Sequence, residues 1–374
     1  MWKSPIKEQQ VMNSVPVYVG LDYHTSFVQV CIVNSEGAAV VNRKCANAVG
    51  EIVRCVEGLG EVKRVAVEAC CGATDLAEDL AAATGWCVSL AHPGYVARMK
   101  LNPDKTDYGD ARMLAELCRV GFIAEVWAAP SAIREMRALV RAREDCVKRV
   151  RAVKCRVLAL LREQRIAQPK FSRWTKAWVA WLVSEHSISR AGRVVIELAM
   201  AELAAIKGMI ARFESELEDL TRDDPVVKKL RGIKCVGKVT AWVLRAIVGR
   251  FDRFRTGKQL ARFCAVTPKN ASSGERVADA GLIRAGDMLL RGVLVQLAHR
   301  LIRFDARWKT LADGLHEGRA PTGVKVGAIA NRFVRWLFHQ MKGVPQHTIE
   351  TSKDGTDGKK IGTGGERKEM SVAA

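Results

Sequence analysis

Apolar and polar positions divide the chain into a strand-rich first third, a long helical middle and a glycine-punctuated helical end. Residues 1–14 are polar and read as a flexible start. Val15 to Asp22 is rich in β-branched residues and predicts a strand ending on a carboxylate. Phe27 to Val33 and Ala38 to Arg43 predict two more strands, with the turn signal Asn34-Ser35-Glu36-Gly37 between them. A helix is expected near residues 47–59. Arg64 to Glu68 then reads as a short buried strand that again closes on an acid. Asp75 to Ala83 reads as a helix and Trp86 to Leu90 as a strand. The next helix starts within Asp104-Lys105-Thr106-Asp107-Tyr108-Gly109-Asp110-Ala111. Thr106 or Asp107 can cap it, and Met113, Leu114 and Leu117 recur at helical spacing.

Three strands, a helix, then strand, helix, strand, helix is the order of the ribonuclease-H-like (RuvC-like) α/β fold, expected here over residues 15–128. In that fold, strand ends gather carboxylates at one edge of the sheet. Asp22 and Glu68 stand at strand ends, and Asp107 and Asp110 share one face of a first helical turn at i and i+3. Like charges so placed repel unless a cation lies between them, and carboxylate oxygens are the hard ligands that Mg²⁺ takes. Four carboxylates can hold two Mg²⁺ roughly 4 Å apart around a phosphoryl transfer, with Mn²⁺ as a substitute. Each acid also has a plain reading. Asp22 suits a turn, Glu68 a surface beside Lys63 and Arg64, and Asp107 and Asp110 a helix N-terminus. A Glu68 buried at the end of Val65-Ala66-Val67 would, however, be costly without a partner. The start Gly20-Leu21-Asp22-Tyr23-His24-Thr25 also resembles that of actin-like sugar kinases. Tyr23 stands where those have Gly, and no second phosphate loop is evident.

The middle, residues 129–224, reads as a basic helical spacer. From Ser131 to about Arg165 an apolar seam of Ile133, Met136, Val140, Val150, Val157 and Leu161 is surrounded by Arg and Lys. Few acids intersperse them, which favours phosphate contact, with Arg141, Arg149 and Lys154 as candidates. Trp174, Trp178 and Trp181 fall at i, i+4 and i+7, a core-facing stripe by spacing. A second long helix is expected from Arg190 to Leu220, pairing with the first as a hairpin or, across subunits, as a coiled coil.

Residues 225–342 predict a mainly α domain. Leu230 to Ala241 resembles a helix-hairpin-helix, with Gly237 and Lys238 in place and Cys235 where the first hairpin glycine would stand. Ser272-Ser273-Gly274 lies in a loop, Gly286 to Arg291 follows, and Val324 to Met341 is an amphipathic helix. Residues 343–374 have the composition of a disordered tail.

Composition narrows the partner. Lys and Arg number 60 against 40 Asp and Glu, a net charge of +20 over 374 residues with a pI near 9.7. So basic a chain suits a nucleic acid. No apolar run approaches membrane-spanning length, and the first residues lack the apolar core of a signal peptide. Eleven cysteines include no C-x-x-C pair, which fits reduced, buried thiols and a cytoplasmic protein.

One pattern joins these pieces: Asp22, Glu68, Lys105-Thr106-Asp107-x-x-Asp110-Ala111, a basic spacer, Ser272-Ser273-Gly274 and Gly286-Asp287-x-x-Leu290-Arg291. Over roughly residues 15–342 it resembles the DEDD transposases of bacterial insertion sequences. That family includes the Piv-type DNA invertases and the bridge-RNA-guided recombinases. The resemblance implies that Asp22, Glu68, Asp107 and Asp110 bind metal and that Ser272 is the nucleophile, with Ser273 the alternative. It implies a loop kept close to DNA by Gly274, with Lys238 and Arg291 as further nucleic-acid contacts. The implied partners are donor and target DNA, a guide (bridge) RNA and further copies of the chain, as a dimer or a synaptic tetramer. Ala265-Val266-Thr267-Pro268 departs from the usual Gly-Leu-Thr-Pro. A RuvC-like endonuclease without serine chemistry and a non-catalytic basic scaffold are the alternative functions.

Overall fold

The computed structural model describes residues 15–99, 106–270, 279–283, 285–315 and 319–346. The readings on residues 1–14, Lys105, Ser272, Ser273, Gly274 and the tail beyond residue 346 lie outside the described residues. Contacts divide the chain into two compact units at Ala128/Ala129.

The first unit is built on a five-stranded mixed sheet. Its strands are β1 (Pro16–Tyr23), β2 (Phe27–Asn34), β3 (Ala39–Ala46), β4 (Glu61–Glu68) and β5 (Val88–Ala91), in the order β3-β2-β1-β4-β5. The β1–β2 and β2–β3 pairs are antiparallel, and β1–β4 and β4–β5 are parallel. Helices α1 (Val49–Val56), α2 (Ala73–Thr84), α3 (Pro93–Met99) and α4 (Asp107–Arg119) complete it. This arrangement fits the ribonuclease-H-like order.

Side chains alternate between sheet faces, and the apolar sequence follows that alternation. Val17, Val19 and Leu21 join Val28, Val30 and Ile32 beneath Ile52, Leu76 and Leu80. Tyr18, Cys31 and Val33 face the other way and meet Ala111 and Ala115 of α4. Fully burying one such aliphatic side chain is worth about 1.5–3 kcal/mol, so both faces resist a register slip, which would turn every apolar side chain over. Gly20 lets α4 come close: a Cβ there would sit 2.1 Å from the Ala111 carbonyl oxygen.

Three details correct the sequence reading. β4 begins at Glu61, ahead of the apolar run that marked it. The seven-residue α3 is too short to show a helical period. Glu68 is half-buried rather than buried, because it stands where β4 runs out of the sheet.

Among the described residues, the second unit is helical apart from one ribbon. Its two long helices, α5 (Ser131–Glu163) and α7 (Arg190–Leu220), pack antiparallel within the chain, with Arg143 opposite Glu214 and Arg156 opposite Glu202. Val153, Val157 and Leu161 meet Ile196, Leu203 and Ile206, and the short α6 (Lys176–Ser184) adds the fully buried Trp178. The expected Trp stripe is broken. Trp174 precedes α6 in a left-handed conformation (φ 66°), although its ring still reaches Trp178 at 4.7 Å.

A second core joins α8 (Pro225–Arg231), α9 (Lys238–Val248), α10 (Gly257–Phe263), α11 (Met288–Phe304), α12 (Ala306–Asp313) and α13 (Thr322–Gln340). At its centre Arg245 and Asp224, each 1% exposed, pair at 2.6 Å. Asp224 also caps α8 through the Val226 and Val227 amides, so both its oxygens are engaged. The reading as mainly helix missed a two-stranded ribbon, β6 (Pro268–Asn270) with β7 (Asp279–Leu282).

Candidate active site

Strand register brings the first unit's polar residues into line. Asp22 pairs with Gln29 across β1–β2, and Gln29 pairs with Lys44 across β2–β3. On the other side of β1, Leu21 pairs with Val67, so Asp22 and Glu68 come next along two parallel strands. Lys44, Gln29, Asp22 and Glu68 therefore form one row over four strands, on the face that α4 covers.

The first turn of α4 is tied down over this row. Thr106 is its N-cap, its Oγ1 accepting from the Gly109 amide at 3.1 Å. The buried Gln29 donates to Asn42 Oδ1 at 2.6 Å, and Asn42 donates to the Tyr108 carbonyl at 3.1 Å. With the start of the helix held, Asp107 reaches the row and Asp110 is buried. Two residues that the sequence reading passed over complete the group. His24 Nε2 lies 3.2 Å from Asp22 Oδ2 and 3.5 Å from Asp107 Oδ1, and Lys44 Nζ lies 2.9 Å from Asp107 Oδ2. A His two residues past a strand-end acid is a weak local signal, and Lys44 comes opposite Gln29 only through the β2–β3 register.

Ligand atoms of Asp22, His24 and Asp107 lie within 4.8 Å of one another; Glu68 and Asp110 are not in that group of three. Electrostatics separates the two Asp residues. Burial pushes the Asp22 carboxyl above its ordinary value, the nearby His24 offsets part of that, and the charges of Asp110 and Asp107 add to the rise. The hydrogen bond from Lys44 holds Asp107 below its ordinary value. Beside them, burial raises the Cys70 thiol, and the charges of Glu68 and Asp22 raise it further. Glu68 and Asp22 thus act on the same neighbour. Two carboxylates and an imidazole nitrogen within 4.8 Å are a donor set that fits a divalent cation taking oxygen and nitrogen ligands.

In the second unit, β6 and β7 flank the segment that carries Ser272, pairing Pro268 with Leu282 and Asn270 with Asp279. In the turn between α8 and α9, Cys235 takes a left-handed conformation (φ 69°) of the kind normally left to Gly. Beside that turn is a concavity of about 470 Å³ lined by Lys228, Lys229, Lys234 and Arg307 over Trp308 and Trp336, with Asp305 on its wall.

The basic residues singled out in the spacer have varied surroundings. Arg149 is exposed. Arg141 pairs with Asp287 at 3.0 Å, Lys154 lies over the Trp174 ring, Lys238 pairs with Glu214 at 2.6 Å, and Arg291 donates to the Ile283 carbonyl. Three other cations of α5 are internal fasteners rather than free for phosphate. Arg137 donates to the Ala246 carbonyl, and Arg143 and Arg156 bridge to acids of α7.

A ribonuclease-H-like sheet with acids on adjacent strand ends and on the facing helix defines a class of carboxylate-centred α/β domains. A DEDD transposase model of the IS110 group matches residues 19–165, and a model of the IS116/IS110/IS902 transposase family matches residues 227–313. The two together span more than half of the chain, and it belongs to the DEDD transposases of insertion sequences. The first matched span contains Asp22, Glu68, Asp107 and Asp110; the second contains Ser272. The chain is 24% identical to the transposase for insertion sequence element IS1111A of Coxiella burnetii, over 79% of this chain and 80% of that protein. It is 28% identical to y4qE of Sinorhizobium fredii, named as a candidate transposase, over 57% of this chain and 52% of that one. The chain thus matches about half the length of y4qE. No described helix is long and apolar enough to cross a membrane.

Proposed function

We propose that this chain is an insertion-sequence transposase that cuts and rejoins DNA strands with a serine nucleophile and a divalent-metal carboxylate centre. The observation that carries the reading is the approach of Asp107 to Asp22 across the helix–sheet interface, bridged by His24. Asp22, Glu68, Asp107 and Asp110 would hold the metal, Mg²⁺ by the hardness of four carboxylates and Mn²⁺ as a substitute. When bound, such an ion supplies charge neutralisation at a phosphoryl oxygen and lowers the pKa of a coordinated hydroxyl.

The chain's own residues have separate parts in this reading. Gln29 and Asn42 fix the start of α4, so that Asp107 and Asp110 are presented to Asp22. Ser272 supplies the attacking oxygen: its Oγ–P bond forms as the P–O3′ bond breaks, leaving a 5′-phosphoserine and a free 3′-hydroxyl. Attack by the 3′-hydroxyl of another strand reverses the step, returns the serine proton and rejoins DNA. The catalytic domain would span residues 15–128, the spacer 129–224 and the serine-bearing domain 225–342. Donor and target DNA are the substrates, and a guide RNA and further copies of the chain are the partners. The basic concavity beside Cys235 and the exposed Arg149 are surfaces for phosphate.

Denaturing electrophoresis of the chain with supercoiled donor plasmid and Mg²⁺ tests this reading. A covalent protein–DNA adduct is expected with the wild type and absent with Ser272→Ala. Asp110→Asn is expected to lose strand cleavage while retaining DNA. An adduct that persists in Ser272→Ala would overturn the nucleophile assignment.

A further inference from the structure

The carboxylate site already contains a cation of its own. Lys44 reaches it from β3 by register alone, two strands away from Asp22 in the same row. Its ammonium is 2.9 Å from Asp107 Oδ2 and 4.3 Å from the centre of the Phe27 ring. His24 stacks on the same ring at 4.3 Å. Phe27 thus steadies both groups that touch Asp107. The Lys44 side chain is 58% exposed, so leaving the site costs little burial. A Lys is a single-point donor on a flexible stem and lacks the fork with which Arg holds a carboxylate at two points.

We propose that Lys44 is the resident counter-ion of the carboxylate site, standing beside Asp107 where a divalent cation would draw that carboxylate, so that metal binding must displace it. The assignment rests on the metal reading given above. Its physical content is competition: whatever Lys44 contributes to holding Asp107 has to be given up when the carboxylate turns to a metal. Exposed ion pairs are individually weak, so the effect is a bias rather than a lock. A divalent cation attracts the same oxygen with twice the charge and several ligands. Lys44 would keep the four acids from repelling one another before loading, and it would set the cation concentration at which loading occurs. Once displaced, its ammonium lies beside the site, where it can meet a phosphate.

The test is Mn²⁺ binding to the full chain, followed by the loss of the free-ion electron paramagnetic resonance signal, with no DNA present. Lys44→Met keeps the stem and removes the charge, and it should bind Mn²⁺ tighter by about 1.5- to 5-fold, as expected for loss of one exposed pair. Lys44→Arg, which can grip Asp107 at two points, should bind no tighter than wild type. Equal or weaker binding by Lys44→Met, with an unchanged melting temperature, would overturn the competition. If Lys44→Met melts lower, Lys44→Gln takes its place under the same criterion. Asp107→Asn separates the two layers. If it binds Mn²⁺ as the wild type does, the metal reading itself fails at Asp107 and the Lys44 assignment falls with it.

Discussion

Gly20 and Ala111 approach so closely that a Cβ on Gly20 would lie 2.1 Å from the Ala111 carbonyl oxygen and 2.4 Å from the Ala115 amide nitrogen. Both are backbone atoms, so no side-chain rotation relieves the clash. This contact sets how near α4 sits to β1, and through α4 it sets the distance from Asp107 to Asp22. Gly20→Ala should therefore push the helix outward. Overpacking of this kind costs about 1–3 kcal/mol. A lower urea midpoint for the first unit, together with weaker Mn²⁺ binding, is the expected result. Wild-type Mn²⁺ affinity in a folded Gly20→Ala chain would mean that the helix spacing does not control the site.

Asp224 and Arg245 make a different kind of contact, a fully buried ion pair in which Asp224 also caps α8 and Arg245 also donates to the Gly249 carbonyl. Removing one partner leaves a charge in a dry core, which costs about 3–5 kcal/mol. Asp224→Ala should destabilise the second unit by about that amount, more than an ordinary lost cap of about 1 kcal/mol. Denaturation monitored by tryptophan fluorescence reads it, since Trp242 lies in the same core and donates to Thr221. A loss below about 1 kcal/mol would indicate that water reaches Arg245 in the variant.

Much of this was legible in the sequence because it rests on local signals. Val17, Val19 and Leu21 alternate with Tyr18, Gly20 and Asp22, so the strand and its two faces follow from period alone. A cap at Thr106 or Asp107 follows from side-chain chemistry, and the structure puts it at Thr106, with Asp107 and Asp110 on the first turn of α4. His24 and Lys44 were not legible as site residues, because their role depends on register: Lys44 meets Asp107 only after two antiparallel pairings bring β3 into line. The fastening roles of Arg137 and Arg143 were not legible for a similar reason. A basic helix looks unpaired until the carbonyl ends of α9 and the acids of α7 are folded against it. Trp174 fitted a helical stripe by spacing, yet the chain turns into a left-handed conformation there and α6 begins after it.

Glu214 links α7 to both α5 and α9, accepting from Arg143 at 2.7 Å and pairing with Lys238 at 2.6 Å. Burial raises its carboxyl, but the hydrogen bonds from Lys238 and Arg143 outweigh burial and hold it below its ordinary value of 4.5. For an acid depressed in the folded state, the stabilisation is present above the unfolded pKa. It is lost as pH falls through the folded one. The second unit should therefore lose stability as pH drops below about 4.5, by about 1.5–3 kcal/mol for charge-assisted hydrogen bonds of this type. Glu214→Gln should be less stable than wild type at neutral pH and flatter across that acid range. Identical pH slopes for the two proteins would remove Glu214 from the acid response.

The concavity beside Cys235 offers a prediction about nucleic acid. Lys228, Lys229, Lys234 and Arg307 surround it against the single acid Asp305, and the Arg307 guanidinium lies 5.2 Å from the Trp308 ring and 5.7 Å from the Trp336 ring. A guanidinium held on two indoles is ordered in advance, so little side-chain entropy is lost when a phosphate arrives. Each phosphate contact to duplex DNA steepens the salt dependence of log K by about 0.9. Lys229→Glu with Arg307→Glu should therefore weaken binding of a short duplex and lower that slope by about 1.8 if both residues touch phosphate. Fluorescence anisotropy titrations at several salt concentrations read both quantities. A variant that binds less tightly with an unchanged slope would place the contacts elsewhere, and unchanged binding would leave this face without a role in holding DNA.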